Sequence, residues 1–197
     1  VISFEDCVDL DRADPLREIR HQFDLPDDVV YLDGNSLGPP LRSVSDRVNR
    51  LLREWQEDLI TGWLERDWAD LPFQVGRRLE PIIGAAPGSV VACDSTSVNL
   101  FKAAMVACDL RDGAILTDSG NFPTDLYVLA EVARRRQRQL LVVEVGEPSK
   151  RIDEGVALVA LTQVDFRTGR LHDLGSITSI AHLAGSSVLW DLSHSAG

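Results

Sequence analysis

Several polar clusters in this chain have the residue types and spacing to handle a flat, charged small molecule. Asp94-Ser95-Thr96-Ser97 heads a helix-forming stretch. Free N–H groups and the positive dipole end make such a place suited to a phosphate, although Asp and Ser are also ordinary N-cap residues. Asn121-Phe122-Pro123-Thr124-Asp125 opens a second helix with proline in its first turn. Phe122 either stacks on a planar ligand or packs into the core. Asp191 ends the apolar run Ser187-Val188-Leu189-Trp190, where a carboxylate is costly unless paired. It either holds a cationic ring nitrogen or caps local backbone. His194 is either structural, a ligand contact or a proton relay.

The elements that must position these clusters can be read from hydrophobic periodicity. A short helical stretch is expected near Asp14 to Phe23, then an extended run Val29 to Leu32 entering the turn Asp33-Gly34-Asn35. Leu41, Val44, Val48, Leu51, Leu52, Trp55 and Leu59 recur at three and four, predicting an amphipathic helix. Trp63 and Trp68 are expected in a polar loop, and a helix from Pro72 to Ile83 stopped by Gly84. From Ser89 the pattern becomes strand and helix in alternation. Strands are predicted at 90–93, 114–117, 140–145, 156–164 and 188–192, and helices at 95–110, 123–136 and 177–183. This implies an α/β fold with a parallel sheet and helices on both faces. Ligands of such sheets bind beyond the carboxyl ends of the strands. Asp94 to Ser97, Asp118 to Asn121, Thr162-Gln163 and Asp191 to Ser195 all fall there. The division expected is an N-terminal segment and linker helix at 1–60, and a larger sheet-containing part at 61–197.

Composition narrows the classes. Hydrophobic residues make up 44% of the 197 residues, enough for a packed core, and the net charge is −11. Such a chain repels phosphate backbones, so nucleic-acid binding is not expected. The basic run Arg134-Arg135-Arg136-Gln137-Arg138 reads as a helix C-terminus. Cys7, Cys93 and Cys108 lack the paired spacing of a zinc or disulfide framework. No apolar run approaches a membrane span and no signal-peptide pattern is seen, so a soluble cytoplasmic protein is expected.

The segments YLDGNSLG, STSVNLFK, NFPTDLY, LTQVDFRTG and WDLSHSAG, in this order, resemble kynureninase. That is a fold-type-I enzyme dependent on pyridoxal 5′-phosphate (PLP), which hydrolyses L-kynurenine to anthranilate and L-alanine in tryptophan catabolism. The resemblance implies a fold-type-I large domain preceded by a helical segment, and a homodimer. It implies that Thr96 and Ser97 hold the phosphate and that Phe122 stacks on the pyridine ring. Asp125 is then a further cofactor contact and Thr162 lies near the ring. Asp191 pairs with the ring nitrogen, and His194 lines the same pocket. Trp63 matches the aryl-binding position and Ser36 the segment approaching the substrate. A tryptophan at 63 looks like the bacterial form, implying a preference for kynurenine over its 3-hydroxy relative; comparable turnover of both substrates would refute this. Related desulfurases and aminotransferases share the Asp-x-x-His strand end but not NFPTDLY or YLDGNSLG. Another fold-type-I lyase or desulfurase, or a noncatalytic fragment, is the alternative.

The chain departs from the family in one respect. Its lysines are Lys102 and Lys150, and neither is placed to carry the cofactor as a Schiff base; in the family that lysine follows the HSAG segment. The expectation is therefore a piece covering about half of such an enzyme at its N-terminal side, incomplete at the C-terminus and inactive alone. Uncovered strand edges and apolar helix faces would make such a piece unstable; a cooperative melt as a soluble monomer would count against this.

Overall fold

The computed structural model describes residues 2–34 and 36–196. Asn35 of the expected turn and Gly197 of the last matched segment lie outside the described residues. The chain divides into two compact units, Val1–Leu71 and Pro72–Gly197.

The first unit is helical. Helix α1 (Phe4–Ala13) begins at a capping box in which Ser3 and Asp6 satisfy each other's backbone N–H groups. It stops because Asp14 turns extended before Pro15. The helix expected at Asp14 to Phe23 is thus displaced toward the N-terminus, and only a 3-10 segment, Arg17–Gln22, occupies that stretch. The run 29–32 forms no strand. The amphipathic helix is present as α2 (Val44–Asp58). Trp63 lies on the short helix α3 (Gly62–Glu65) and Trp68 on a 3-10 turn, Trp68–Asp70, rather than in a loop.

Helix α4 (Leu71–Ile83) ends where Gly84 takes φ +66°. The segment 90–93 forms no strand. Its β-branched composition favours extension, but it lies outside the sheet ladder, and Ala92 N–H donates to the Pro72 carbonyl instead. Helix α5 (Thr96–Leu110) starts at the Ser95 N-cap, β1 (Ala114–Asp118) follows, and α6 (Pro123–Arg136) closes at Gln137 in the left-handed region. Then come β2 (Leu140–Val143), β3 (Val156–Thr162), α7 (Leu174–Leu183) and β4 (Ser187–Asp191).

The strands form an all-parallel sheet in the order β2-β1-β3-β4. Alternation along each strand feeds two cores. Ile115, Leu158 and Ala160 pack with Ala104 and Ala107 of α5 and Leu129 and Val132 of α6. On the other face Leu116, Val159 and Leu161 pack with Ile177 and Ala181 of α7. β3 is buried at every position, as a central parallel strand requires. Parallel strands point their carboxyl ends the same way, so Asp118, Thr162 and Asp191 finish at one edge of the sheet. Among the described residues no helix is long and apolar enough to cross a membrane, and no His/Cys/Asp/Glu group suits a metal ion.

Candidate functional site

A cavity of about 430 Å³ opens at this edge, with Thr96, Asn99, Asp125, Trp190, Asp191 and Ser193 among its lining residues. It thus brings together three of the residues expected to bind the cofactor, from α5, α6 and β4. Thr96 is the first residue of α5, and the Ser95 cap bond to Val98 N–H is long at 3.5 Å. That helix end presents its positive dipole to the cavity. Ser97 sits half-buried in the same turn.

Two carboxyl groups also line the cavity. Asp125 is only 2% exposed, in the first turn of α6. Burial, then the charge of Asp191 and a hydrogen bond with it, push the Asp125 carboxyl up to about 7. Asp191 is held from its other side by Ser193, whose N–H and hydroxyl both donate to Oδ1 at 2.7 and 2.5 Å. Two carboxyl groups can share a hydrogen bond only by holding a proton between them. A cationic N–H placed here would satisfy both.

Phe122 and His194 meet in an aromatic cluster completed by Phe166. The Phe122 and Phe166 rings lie edge to face at 5.1 Å, and His194 is 6.4 Å from Phe122 and stacked 6.5 Å from Phe166. The Arg167 guanidinium covers the Phe166 ring at 5.4 Å. Thr162 donates to the Asn121 side chain, which itself donates to Thr117 Oγ1 at 2.9 Å and accepts from Phe122 N–H at 2.8 Å. Thr162 is also the register neighbour of Asp191. A buried side-chain hydrogen-bond network therefore joins the ends of β1 and β3, with Asp191 of β4 alongside in register.

Ser36 and Trp63 belong to the first unit. Ser36 is exposed in a turn, its N–H donating to the Asp33 carbonyl at 3.1 Å, and the Trp63 side chain is exposed. Lys102 pairs with Asp94, and Lys150 pairs with Glu147 at 2.6 Å; neither lines the cavity. Three contributors escaped the sequence reading: Asn121 as a buried hub, Phe166, and Asn99, which lines the cavity and donates to the Cys93 carbonyl at 2.7 Å. The turn signal Asp165-Phe166-Arg167-Thr168-Gly169 could have marked Phe166 as a loop tip.

No protein-family model matches the chain. It is 40% identical over 202 residues to a kynureninase from Pseudomonas fluorescens, covering 98% of this chain and 49% of that protein. It is 41% identical over 203 residues to kynureninase from Burkholderia pseudomallei, with the same coverage. The chain spans about half the length of the curated relatives it matches. Among solved structures it resembles a mutant of C-DES with glycine covalently linked to the PLP cofactor, at TM-score 0.67 and 17% identity over 89% of this chain and 50% of that one. It also resembles the cysteine desulfurase CsdA from Escherichia coli, at TM-score 0.66 and 20% identity over 89% and 48%. A glycine decarboxylase (P-protein) aligns at TM-score 0.57 and 17% identity over 95% and 51%. These likenesses fix the fold as part of the fold-type-I PLP-enzyme architecture, with the α/β organisation expected from the sequence.

Proposed function

We propose that this chain, a homologue of kynureninase over half of that enzyme's length, is the cofactor-holding part of a PLP-dependent hydrolase that converts L-kynurenine to anthranilate and L-alanine. The observation that carries the reading is the polarity of the cavity. The carboxyl pair Asp125 and Asp191 and the N-terminus of α5 at Thr96 line it together. The first calls for a cationic N–H, the second for an anion; a protonated pyridine carrying a phosphate has both.

The residues present fit the group. Thr96 and Ser97 would hold its phosphate, Phe122 would stack on its ring, and Asp191 would pair with the ring nitrogen. Asp125, Thr162 and His194 would complete the contacts. When bound, PLP supplies an electron-withdrawing ring that stabilises charge developing at the carbon next to the amino group. The protein's part is to keep that ring protonated. Asp191, fixed by Ser193, would hold the proton at the ring nitrogen, and Asp125 could supply one. The ring cluster of Phe122, Phe166 and His194 would give the bound ring an aromatic neighbour. Trp63 and Ser36 would contribute to the substrate pocket. The reading includes a cytoplasmic homodimer that binds neither nucleic acid nor membrane, and a large domain beginning near residue 61. A desulfurase reading draws only on shared fold and is less specific.

The test is to titrate the polypeptide carrying this chain with PLP, add L-kynurenine, and follow anthranilate fluorescence. Cofactor binding with anthranilate release supports the proposal. Cofactor binding with sulfur release from cysteine and no anthranilate, or no cofactor binding at all, overturns it.

A further inference from the structure

A second buried pair, His172 and Asp118, is not used by the reading above. His172 Nε2 lies 2.9 Å from Asp118 Oδ2, with the two side chains 9% and 3% exposed. The two residues anchor the two segments that present the rings. Asp118 ends β1, and its Oδ1 accepts from Gly120 N–H at 2.9 Å, shaping the turn that leads into Asn121 and Phe122. This turn is tight: a Cβ at Gly120 would lie 2.6 Å from Val145 Cγ2. His172 closes the hairpin 163–172, its N–H bonded to the Gln163 carbonyl at 2.9 Å and Val164 bridging Leu171. The hairpin tip is organised by Asp165, whose Oδ1 accepts from the backbone of Arg167 and Thr168, and it carries Phe166. The His172 ring also lies 6.4 Å from that of Trp190 on β4.

The geometry points to Asp118 and His172 as a positioning pair that clamps the hairpin base to the end of β1 and thereby sets the spacing of Phe122 and Phe166. One carboxylate shapes the Phe122 turn through Oδ1, while its buried Oδ2 lies 2.9 Å from His172 at the base of the Phe166 hairpin and has no hydrogen-bond partner of its own. The pair touches neither ring; it acts through the two backbones. Its importance for cofactor binding rests on the reading proposed above, whereas its effect on ring spacing does not.

The experiment uses the complete polypeptide carrying this chain and two readouts. The first is the nuclear Overhauser contact between the Phe122 and Phe166 rings in the wild type, His172→Ala and His172→Gln. The second is PLP affinity, with the induced visible circular dichroism of the bound cofactor. The contact is expected to vanish in His172→Ala and to persist in His172→Gln, whose amide N–H can still reach Asp118. PLP affinity is expected to fall about tenfold or more in His172→Ala, a difference of ~1.4 kcal/mol, and to recover partly with added imidazole. Combining His172→Ala with Phe166→Leu should add little further loss, because both act through one ring. An unchanged ring contact in His172→Ala overturns the proposal, as does full additivity of the two substitutions. A wild type that shows the ring contact but binds no PLP overturns the functional reading instead, and the ring contact still decides the clamp. If His172→Ala does not fold, loss of the contact in folded His172→Gln overturns the role given to the polar contact with Asp118.

Discussion

Asp125 and Asp191 line one cavity with the first residue of α5, and the neighbouring Asp191 carboxyl helps hold a proton on Asp125. Because Asp125 is pushed up to about 7 by burial and by Asp191, the folded chain holds a proton there that the unfolded chain releases near 4. The folded pKa is raised, so this contribution is fully present below about pH 4 and is lost as pH rises through about 7. Glu131, lowered to about 2 by bonds from Arg134 and Arg135, and Asp165 and Asp173, lowered by backbone N–H groups, act oppositely, and their contributions fade only as pH falls below about 4. The cofactor-free chain should therefore lose thermal stability between pH 5 and pH 8. Asp125→Asn should flatten that slope, as measured by melting temperature across the range. An equal slope in the variant would refute the shared proton.

Asp191→Asn separates cofactor binding from folding. Its amide oxygen can still accept from Ser193 N–H and Oγ, so the strand end keeps its local bonds. Replacing the charged acceptor removes a charge-assisted bond worth about 1.5–3 kcal/mol. PLP affinity should fall roughly 10- to 100-fold by absorbance titration, with a melting temperature near that of the wild type without cofactor. Unchanged affinity would remove Asp191 from the site.

Asn121→Ala should be destabilising. The side chain serves Thr117, Thr162 and Phe122 N–H in a site where Asn121 is 5% exposed. Each buried polar group left without a partner costs about 1–3 kcal/mol. A loss of at least about 2 kcal/mol is expected in urea unfolding, together with a weaker PLP signal, because Phe122 is no longer held. A loss below ~0.5 kcal/mol would mean water replaces the amide fully.

The sequence and the structure agree where local rules suffice. Helix α6 runs from Pro123 to Arg136 as read, because proline in its first turn and a left-handed residue after its last turn mark both ends. The parallel sheet was legible from apolar runs alternating with helices, and so was the collection of polar clusters at its carboxyl edge. The segment 90–93 misled because β-branched residues signal an extended chain but not a ladder partner. The strand order, the Asp125–Asp191 bond and the Asp118–His172 pair were not legible. Each joins residues far apart in the chain, and nothing in the local pattern of either partner names the other. Phe166 was hidden for the same reason: its loop resembles many turns, and only packing brings it to Phe122.

Gly76→Ala tests how α4 is seated within the second unit. In an exposed helix this change would stabilise by about 1 kcal/mol through helix propensity. Here a Cβ would fall 1.9 Å from the Val90 carbonyl oxygen and 2.6 Å from its carbon. That is backbone, which cannot swing aside as a flexible side chain can. The helix must move from the segment that runs into Asp94 and the start of α5, and overpacking of this kind costs about 1–3 kcal/mol. The sign should therefore reverse: the urea midpoint should drop, and because Thr96 follows that segment, PLP affinity should weaken with it. A raised midpoint would show that α4 and the segment do not meet as described.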